Sequence, residues 1–276
     1  MISPRMDSAP RFSVVFVLGV AHCGSTLLGR LLHMHGKVLC VGELLRVDVA
    51  VENGIVCGCG AKIPECEFWK PLLPALEKET RLDPMRFQAE TFRRIARAHG
   101  KEVLLDTSKS RVWRLAKRWK DPGVGFLFLV RDSRGVMAAT ARLGKDLDHP
   151  IRRHEKWMKR LQRFAQKRER EGRCLTLHYE DLCRAPQAEL EKVSAFLGLA
   201  FEPAMLQPAG KVHHFVNASV SGYLKASNEI RRDERWQEEL PVETIREIER
   251  VMRKLACFEG RFEPFRAPIG KSAGTP

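Results

Sequence analysis

The chain has 276 residues, of which 44% are hydrophobic and 30% are charged, a balance that is ordinary for a globular protein and excludes wholesale disorder. Its formal net charge at pH 7 is +14, which indicates anionic partners. Much of the basic excess lies in a helical pattern at 151–171, where a solvated surface accounts for it, so we expect no nucleic-acid partner. A site for a multiply phosphorylated small molecule explains the sign of the charge equally well.

We expect one domain over residues 12–265, with flexible ends at 1–11 and 266–276 that are rich in small residues and proline. No apolar run approaches the roughly 18 residues of a membrane span. His22 stands where a signal peptide would be cleaved and argues against one. Most cysteines are scattered among apolar neighbours, as reduced thiols are, so we expect a cytoplasmic protein. The sequence is also compatible with an oligomer.

Apolar runs rich in Val, Leu and Phe alternate along the chain with apolar residues at helical spacing. In chain order, strands are predicted at 13–19, 102–106, 124–131 and 173–180, and helices at 25–35, 84–99, 110–120, 151–171, 186–197 and 241–255. The apolar runs are typical of strands buried on both faces, as in a parallel sheet. The alternation predicts right-handed crossovers, so the expected fold class is α/β, with a P-loop-like, doubly wound parallel sheet flanked by helices in a single domain.

The loops that follow these strands carry most of the polar residues that suit an anion. They read GVAHCGST, DTSKS, RDSRG and YEDL. Because ligands of such sheets bind at the carboxyl ends of the strands, we expect all four loops to converge on one crevice.

The first of these loops is similar to a phosphate-binding loop, but Ser25 stands where the pattern GxxxxGK[ST] has lysine. Gly19 and Gly24 allow the backbone to curl so that amide hydrogens point inward, and the helix that follows adds its positive end. Thr26 and His22 supply further donors. The alternative is a plain strand-turn-helix connection that uses glycine only for its geometry.

The missing lysine bears on the kind of group that the loop would bind. A P-loop lysine neutralises the β- and γ-phosphates of ATP, and the adjacent Ser or Thr binds magnesium. A sulfuryl group carries less negative charge than a phosphoryl group, so loop amides, one lysine and a few hydroxyls can stabilise its transfer without a metal. We therefore assign no metal ligand to the reaction.

Two segments carry a resemblance to a known family. GVAHCGSTLLGRLL at 19–32 resembles the 5′-phosphosulfate loop of the sulfotransferases that use 3′-phosphoadenosine 5′-phosphosulfate (PAPS), particularly bacterial members of the tyrosylprotein or carbohydrate type, and FLFLVRDSRGV at 126–136 resembles their 3′-phosphate segment. Further similar segments follow in the family's order: CVGE at 40–43, CGCGAKIPECEFW at 57–69, LLDTSK at 104–109, LHYEDL at 177–182, FLGL at 196–199 and IRRDERWQEEL at 230–240. Together they cover most of residues 13–240.

The resemblance implies that PAPS is the co-substrate and that its sulfuryl group passes in line to an acceptor hydroxyl or amine. It implies three catalytic residues. Glu43 is the general base that takes the acceptor proton. Lys109 contacts the bridging oxygen as charge develops on the departing phosphate. His22 belongs to the loop around the sulfate. The non-catalytic alternative for Glu43 is a carboxylate that stabilises the N-terminus of a helix. The alternative for Lys109 is a solvated surface lysine that follows a strand.

The resemblance also implies a set of nucleotide-binding residues. Arg131 holds the 3′-phosphate by paired hydrogen bonds, although a salt bridge to Asp132 or another local carboxylate is the alternative. Tyr179 contacts the adenosine, and Arg231 belongs to a late loop that closes over the nucleotide. The complete set is Gly19, His22, Cys23, Gly24, Ser25, Thr26, Arg131, Thr140, Tyr179 and Arg231.

The chain departs from the family pattern at two positions. His22 replaces a basic residue and is neutral at pH 7 unless its pKa is raised. Ala139 stands where the family has a serine eight residues after the 3′-phosphate arginine. Thr140 follows one place later. A helix turns the side chain of the next residue by about 100°, so Thr140 replaces the serine's contact with the 3′-phosphate only in part.

Two other functions are consistent with parts of the sequence. An ATP- and magnesium-dependent small-molecule kinase is favoured by Asp106, which ends an apolar strand as magnesium-binding carboxylates do. A non-catalytic basic binding module is favoured by the net charge alone. The acceptor hydroxyl of a sulfotransferase could belong to a sugar, phenol, lipid or peptide, and we expect the insert at 44–97, which includes Trp69, to form the acceptor side.

Three cysteines cluster within this insert. Cys57, Cys59 and Cys66 could bind zinc, form a local disulfide or simply pack. Their spacing is not a common zinc-finger spacing, and no fourth ligand stands nearby in the sequence. Packing or a disulfide is therefore the preferred interpretation.

Overall fold

The computed structural model describes residues 10–80, 88–117, 120–217 and 228–261. Within these ranges the fold is built on one sheet of five parallel strands in the order β2-β3-β1-β4-β5. The strands are β1 (Val14–Leu18), β2 (Val38–Cys40), β3 (Val103–Asp106), β4 (Val124–Val130) and β5 (Cys174–His178). The predicted fold class, an α/β protein with a parallel sheet, is confirmed.

Helices cover the sheet and fill the connections between strands. They are α1 (Ser25–His33), α2 (Val47–Glu52), α3 (Leu73–Thr80), α4 (Ala89–Ala98), α5 (Val112–Ala116), α6 (Ser133–Ala141), α7 (Asp148–Arg170), α8 (Tyr179–Arg184), α9 (Pro186–Leu197), α10 (Trp236–Glu239) and α11 (Val242–Met252). Helix α4 packs on β1 and β3, while α7 packs on β4 and β5. No helix of the described ranges is both long enough and apolar enough to span a bilayer.

The strands form because their apolar side chains are covered on both faces of the sheet. Every residue of β1, β3 and β4 is buried, which is why these segments read as continuous apolar runs without alternation. Phe16 of β1 packs edge-on against Phe92 of α4, with ring centroids 5.1 Å apart, and lies 6.3 Å from the ring of Phe126 on β4. This aromatic cluster joins the centre of the sheet to α4.

The four predicted strands correspond to β1, β3, β4 and β5. Strand β2 was not predicted, because its three residues are too few for a periodic pattern. The predicted helix at 110–120 is shorter than expected and starts with a 3-10 turn at Lys109–Arg111. Residues 1–9 and 266–276 of the predicted flexible ends lie outside the described residues.

The strand order places the loops that matter side by side. Strand β1 lies between β3 and β4, with Val14 opposite both Leu104 and Val124. The chain runs from β1 to β2 on one side of the sheet and later reaches β4 on the other, so the topology switches direction at β1. Ligands of doubly wound sheets bind at the carboxyl ends of strands beside such a switch.

Candidate active site

A cleft of about 1080 Å³ opens at the carboxyl ends of β1, β3 and β4. Nine of the residues predicted to act in catalysis or nucleotide binding line it: His22, Gly24, Ser25, Thr26, Glu43, Lys109, Arg131, Tyr179 and Arg231. Further cations in its lining are Arg46, Arg111, Arg142, Arg232 and Arg235. Because these cations outnumber the carboxylates around them, the cleft suits an anionic ligand.

The loop after β1 forms one wall of the cleft. His22 has a φ of 64° and Gly24 a φ of 95°, so the chain passes twice through the left-handed region before α1 begins at Ser25. No side chain of the described residues caps this helix, and its first turn has no acidic residue. The positive end of α1 therefore faces the cleft without a carboxylate of its own.

Gly24 is required at its position for a second reason. A Cβ atom there would lie 2.5 Å from Cδ2 of Tyr179, far inside van der Waals contact. The aromatic ring is thus packed directly on the backbone of the loop. This contact joins the loop after β1 to the segment after β5.

Glu43 and Lys109 form an ion pair at the floor of the cleft. The ammonium group of Lys109 also donates to the hydroxyl of Ser25 at 3.4 Å. The other carboxylate oxygen of Glu43 accepts from the side-chain amide of Asn217 at 3.1 Å and lies 3.7 Å from the Arg46 guanidinium. A carboxylate, a lysine and the hydroxyl at the start of α1 are therefore in direct contact.

Backbone strain is concentrated at this floor. The non-glycine residues with positive φ among the described residues are His22, Lys109 and Asn217, with φ values of 64°, 59° and 53°. All three line the cleft. Such conformations cost about 1–3 kcal/mol each and persist where the surrounding structure enforces them, which is common at functional sites.

Asp106 lies behind this floor and has a structural role. Its carboxylate accepts from the amides of Leu44 and Ser108 at 2.9 and 2.7 Å and from the Ser108 hydroxyl at 3.0 Å. The side chain is fully buried, and burial raises its pKa to about 7. Because its oxygens bind the loops that carry Glu43 and Lys109, this carboxylate positions those loops. Asp106 does not line the cleft. The observation that favoured a magnesium-dependent kinase, a carboxylate able to hold magnesium at the site, is therefore not supported.

Arg131 lies at the other end of the cleft and is almost buried. Its guanidinium donates to the carbonyl of His22 at 2.8 Å and lies 4.4 Å from the ring centroid of Tyr179. It also forms a salt bridge of 3.1 Å with Asp233. The carboxylate partner of Arg131 is thus Asp233, while Asp132 pairs with Arg134.

The segment before α10 closes this end of the cleft. The Tyr179 hydroxyl donates to the carbonyl of Arg231 at 3.3 Å and accepts from the amide of Asp233 at 3.2 Å. Hydrogen bonding to Arg235 and the charge of Arg131 hold the pKa of Asp233 well below its usual range. Asp233 therefore remains ionised between its arginines.

Ala139 of α6 and Arg142, the residue that follows the end of α6, line the cleft, whereas Thr140 does not. The Thr140 hydroxyl donates to the carbonyl of Val136 at 2.9 Å, within its own helix. Arg142 lies three residues after Ala139, hence on the same helix face, and its guanidinium is 3.5 Å from Asp233. Arg142, rather than Thr140, is therefore beside Arg131.

Burial, followed by the charges of Arg131 and Lys109, lowers the pKa of His22. The imidazole is consequently neutral at pH 7. At the position where the family that the sequence resembles has a basic residue, this chain presents a neutral side chain. The loop therefore depends on the N-terminal end of α1 and on neighbouring cations for its positive potential.

Several predicted residues lie outside the lining. Cys23 is buried in the core with its sulfur packed against Gly19, and neither of these two residues lines the cleft. Trp69 of the insert is fully buried and donates to the carbonyl of His214 at 3.1 Å. Among the described residues of the insert, Arg46 is the one that lines the cleft.

Sequence reasoning did not find Asn217, Asp233 or Arg142. Asn217 has no motif around it, and its contact with Glu43 joins positions 174 residues apart. Arg142 could have been found from its helical spacing to Ala139, since i and i+3 share a face.

Fold and cleft together define a parallel α/β protein with a basic cleft at the switch point of its sheet. The family model described as "Sulfotransferase family" matches residues 14–203. This match spans more than half of the chain, which therefore belongs to the sulfotransferase family.

Solved structures agree on the fold. The sulfotransferase domain from the Synechococcus PCC 7002 olefin synthase is similar over 90% of this chain and 98% of that one, with 21% identity and a TM-score of 0.56. The sulfotransferase domain from the curacin biosynthetic pathway is similar over 87% of this chain and 96% of that one, with 21% identity and a TM-score of 0.58.

Proposed function

We propose that this protein transfers the sulfuryl group of PAPS to the hydroxyl of an acceptor, with Glu43 as general base. The observation that carries the proposal is the contact of Glu43, Lys109 and Ser25 at one end of a basic cleft whose other end holds Arg131. One nucleotide with a sulfate at its 5′ end and a phosphate at its 3′ position would use both ends.

The sulfate end would lie against the loop after β1. Gly24 and the start of α1 supply backbone dipoles, and Ser25 and Thr26 supply hydroxyls. Lys109 would donate to the oxygen that bridges sulfur and phosphorus. As that S–O bond breaks, its electron pair stays on the 5′-phosphate, and the lysine stabilises the growing charge.

The acceptor oxygen would attack sulfur from the opposite side and lose its proton to Glu43. The products are the sulfate ester and adenosine 3′,5′-bisphosphate. In the ligand-free arrangement, Lys109 is paired with Glu43. We propose that the donor draws the lysine toward the bridging oxygen, which leaves a Glu43 oxygen able to accept the proton, while Asn217 holds the other oxygen.

The 3′-phosphate would lie between Arg131 and Arg142. Both guanidinium groups now face the carboxylate of Asp233, at 3.1 and 3.5 Å. Arg235 also pairs with this carboxylate, at 2.8 Å. A carboxylate held by three arginines indicates a position that stabilises an anion, and a phosphate would take its place there. Arg142 would then supply the second contact that the family's serine makes. Tyr179 and the chain at Arg231 would border the adenosine.

The cations of the cleft supply the positive charge for this transfer, so the proposed reaction needs no divalent ion. The acceptor is an alcohol or phenol of a small molecule, glycan, lipid or peptide. The scattered cysteines favour the cytoplasm as the compartment, as predicted above.

The test is isothermal titration calorimetry with adenosine 3′,5′-bisphosphate and with ATP, each with and without magnesium. We expect the bisphosphate to bind more tightly than ATP, independently of magnesium. Arg131→Ala should weaken bisphosphate binding by about 10- to 200-fold, because a charge-assisted hydrogen bond contributes about 1.5–3 kcal/mol. A screen of acceptors with labelled PAPS follows.

The matched control is Arg250→Ala. Arg250 lies on α11, is 64% exposed and pairs with Glu247 at 2.7 Å, outside the cleft. Its loss should leave bisphosphate affinity unchanged. Tighter, magnesium-dependent binding of ATP, or equal effects of the two arginine substitutions, would contradict the proposal.

A further inference from the structure

The three clustered cysteines meet a histidine from a distant part of the chain. Cys57, Cys59, Cys66 and His214 each direct one ligand atom toward the others, and these atoms all lie within 4.8 Å of one another. His214 is 148 residues from Cys66 in the sequence. The fourth ligand that the local sequence lacks is therefore supplied by the fold.

The distances fit a tetrahedral metal site. The Cys66 sulfur lies 3.7 Å from that of Cys57 and 3.6 Å from that of Cys59, and 3.2 Å from Nδ1 of His214. Nδ1 is also 3.9 Å from the Cys57 sulfur. With Zn–S bonds of about 2.3 Å, tetrahedral geometry places two sulfurs about 3.8 Å apart. A disulfide would need about 2.05 Å.

We propose that Cys57, Cys59, Cys66 and His214 bind one Zn²⁺ ion in a closed, structural site. Three thiolates and one imidazole are a common ligand set for structural zinc, and soft sulfur ligands select zinc over magnesium or calcium. The site is separate from the cleft, since none of its four ligands lines it.

The backbone around the cysteines forms a tight loop that presents two thiols. The amide of Cys57 donates to the carbonyl of Ala61 at 2.8 Å, and the amide of Gly60 donates back to the carbonyl of Cys57 at 2.9 Å. A Cβ atom at Gly58 would lie 2.2 Å from the carbonyl oxygen of His213. Only glycine lets this loop approach the segment that carries His214.

The histidine is held in place by its neighbours. The ring of Phe68 stacks on the ring of His214 with centroids 5.0 Å apart and planes at 7°. Trp69 donates to the backbone carbonyl of His214. Such outer contacts fix the orientation of a metal-binding imidazole, here with Nδ1 toward the sulfurs.

The site links the insert to a segment that reaches the cleft. Beyond His214, Val216 donates to the carbonyl of Val41 at 3.0 Å and accepts from the amide of Glu43 at 2.9 Å. Asn217 then contacts the Glu43 carboxylate. A zinc ion at the four ligands would fix this segment to the insert and thereby support Glu43 from a distance.

The test measures metal directly and does not depend on activity. The full chain is produced with zinc in the medium, purified with a reductant, and analysed for metal by mass spectrometry. We expect one zinc per chain. Replacement by Co²⁺ should give the visible bands of tetrahedral cobalt with thiolate ligands.

Cys59→Ser is the first variant, because Cys59 is exposed and its change disturbs the core least. It should lose zinc to a chelator that leaves the parent protein loaded, and His214→Ala should do the same. Cys257→Ser, a half-buried cysteine outside the cluster, is the control and should keep its zinc. Folding of each variant is checked by circular dichroism.

Three results would overturn the proposal: less than a tenth of a zinc per chain under these conditions, zinc retention in Cys59→Ser equal to that in Cys257→Ser, or a disulfide between two of the cluster cysteines that persists in the reduced, zinc-supplied protein. None of them decides whether the protein transfers a sulfuryl group, which the nucleotide titration and the acceptor screen with labelled PAPS test separately.

Discussion

Gly24→Ala tests whether the loop after β1 and Tyr179 form one rigid unit. In this position alanine must adopt a φ of 95°, and its Cβ would lie 2.5 and 3.1 Å from two carbons of the Tyr179 ring. Ordinary contact requires the ring to move by about 1 Å. That ring also lies 4.4 Å from the Arg131 guanidinium, so the movement displaces the proposed 3′-phosphate ligand.

The expected loss of stability has two parts. Left-handed backbone costs an ordinary residue about 1–2 kcal/mol, and the overlap with the ring costs about 1–3 kcal/mol more. The free energy of unfolding should therefore fall by about 2–5 kcal/mol. Gly100→Ala provides a matched control, because Gly100 has a φ of 64° and open space around it. It should cost only the backbone part, about 1–2 kcal/mol.

Urea denaturation gives the two free energies, and calorimetry gives the affinity for adenosine 3′,5′-bisphosphate. Gly24→Ala should weaken that affinity at least about tenfold, which is about 1.4 kcal/mol, whereas Gly100→Ala should leave it unchanged. Equal stability losses and unchanged affinity in both variants would refute the packing of Tyr179 on the loop and its link to Arg131.

Three further predictions concern single side chains. Glu43→Gln should lower kcat by about 10²–10⁴-fold in the assay with labelled donor and leave bisphosphate affinity nearly unchanged; parent-like turnover would rule out the general base. Arg131→Lys keeps the charge but loses the paired donors, so calorimetry should show weakening of about tenfold, and parent-like binding would contradict paired contacts. Asp106→Asn removes a buried carboxyl whose folded pKa is raised to about 7 from its usual 3.8. Because a raised pKa favours the protonated folded state, the stabilisation is complete below about pH 4 and is lost as pH rises toward 7. The free energy of unfolding of the parent should therefore fall relative to that of Asp106→Asn over this window, by at most about 1.4 kcal/mol per pH unit. Urea denaturation at several pH values measures this difference. Parallel pH profiles for the two proteins would show that Asp106 titrates normally.

Much of the fold followed from local pattern. Four of the five strands in the described part of the chain were predicted, because buried parallel strands are continuous apolar runs. The helices at 151–171 and 186–197 were predicted because their apolar residues recur at helical spacing. Strand β2 was not predicted, because a three-residue strand is too short to show a hydrophobic period. The loops after the strands were predicted to meet, and this convergence follows from topology alone, since parallel strands end at one edge of the sheet.

The sequence also identified the residues of the proposed site that lie in recognisable segments. It could not identify partners that are distant in the chain. For Arg131 the alternative to a 3′-phosphate was Asp132 or another local carboxylate, whereas the carboxylate that it contacts is that of Asp233, 102 residues away in the chain. Thr140 was expected to compensate for Ala139 in part, but its hydroxyl is bound within α6, and Arg142 is the side chain that reaches the cleft.

The sequence by itself determined four of the five strands in the described residues, the loops that are rich in polar groups suited to an anion, and the family to which the chain is similar. These properties depend on neighbours along the chain, because burial period, turn geometry and motif spacing are local. Tertiary structure alone decided that Lys109 contacts Glu43, that Asn217 holds the same carboxylate, and that His214 joins three cysteines. Such contacts depend on how the sheet and its crossovers bring distant segments together. A local sequence pattern contains no information about which distant segments become neighbours.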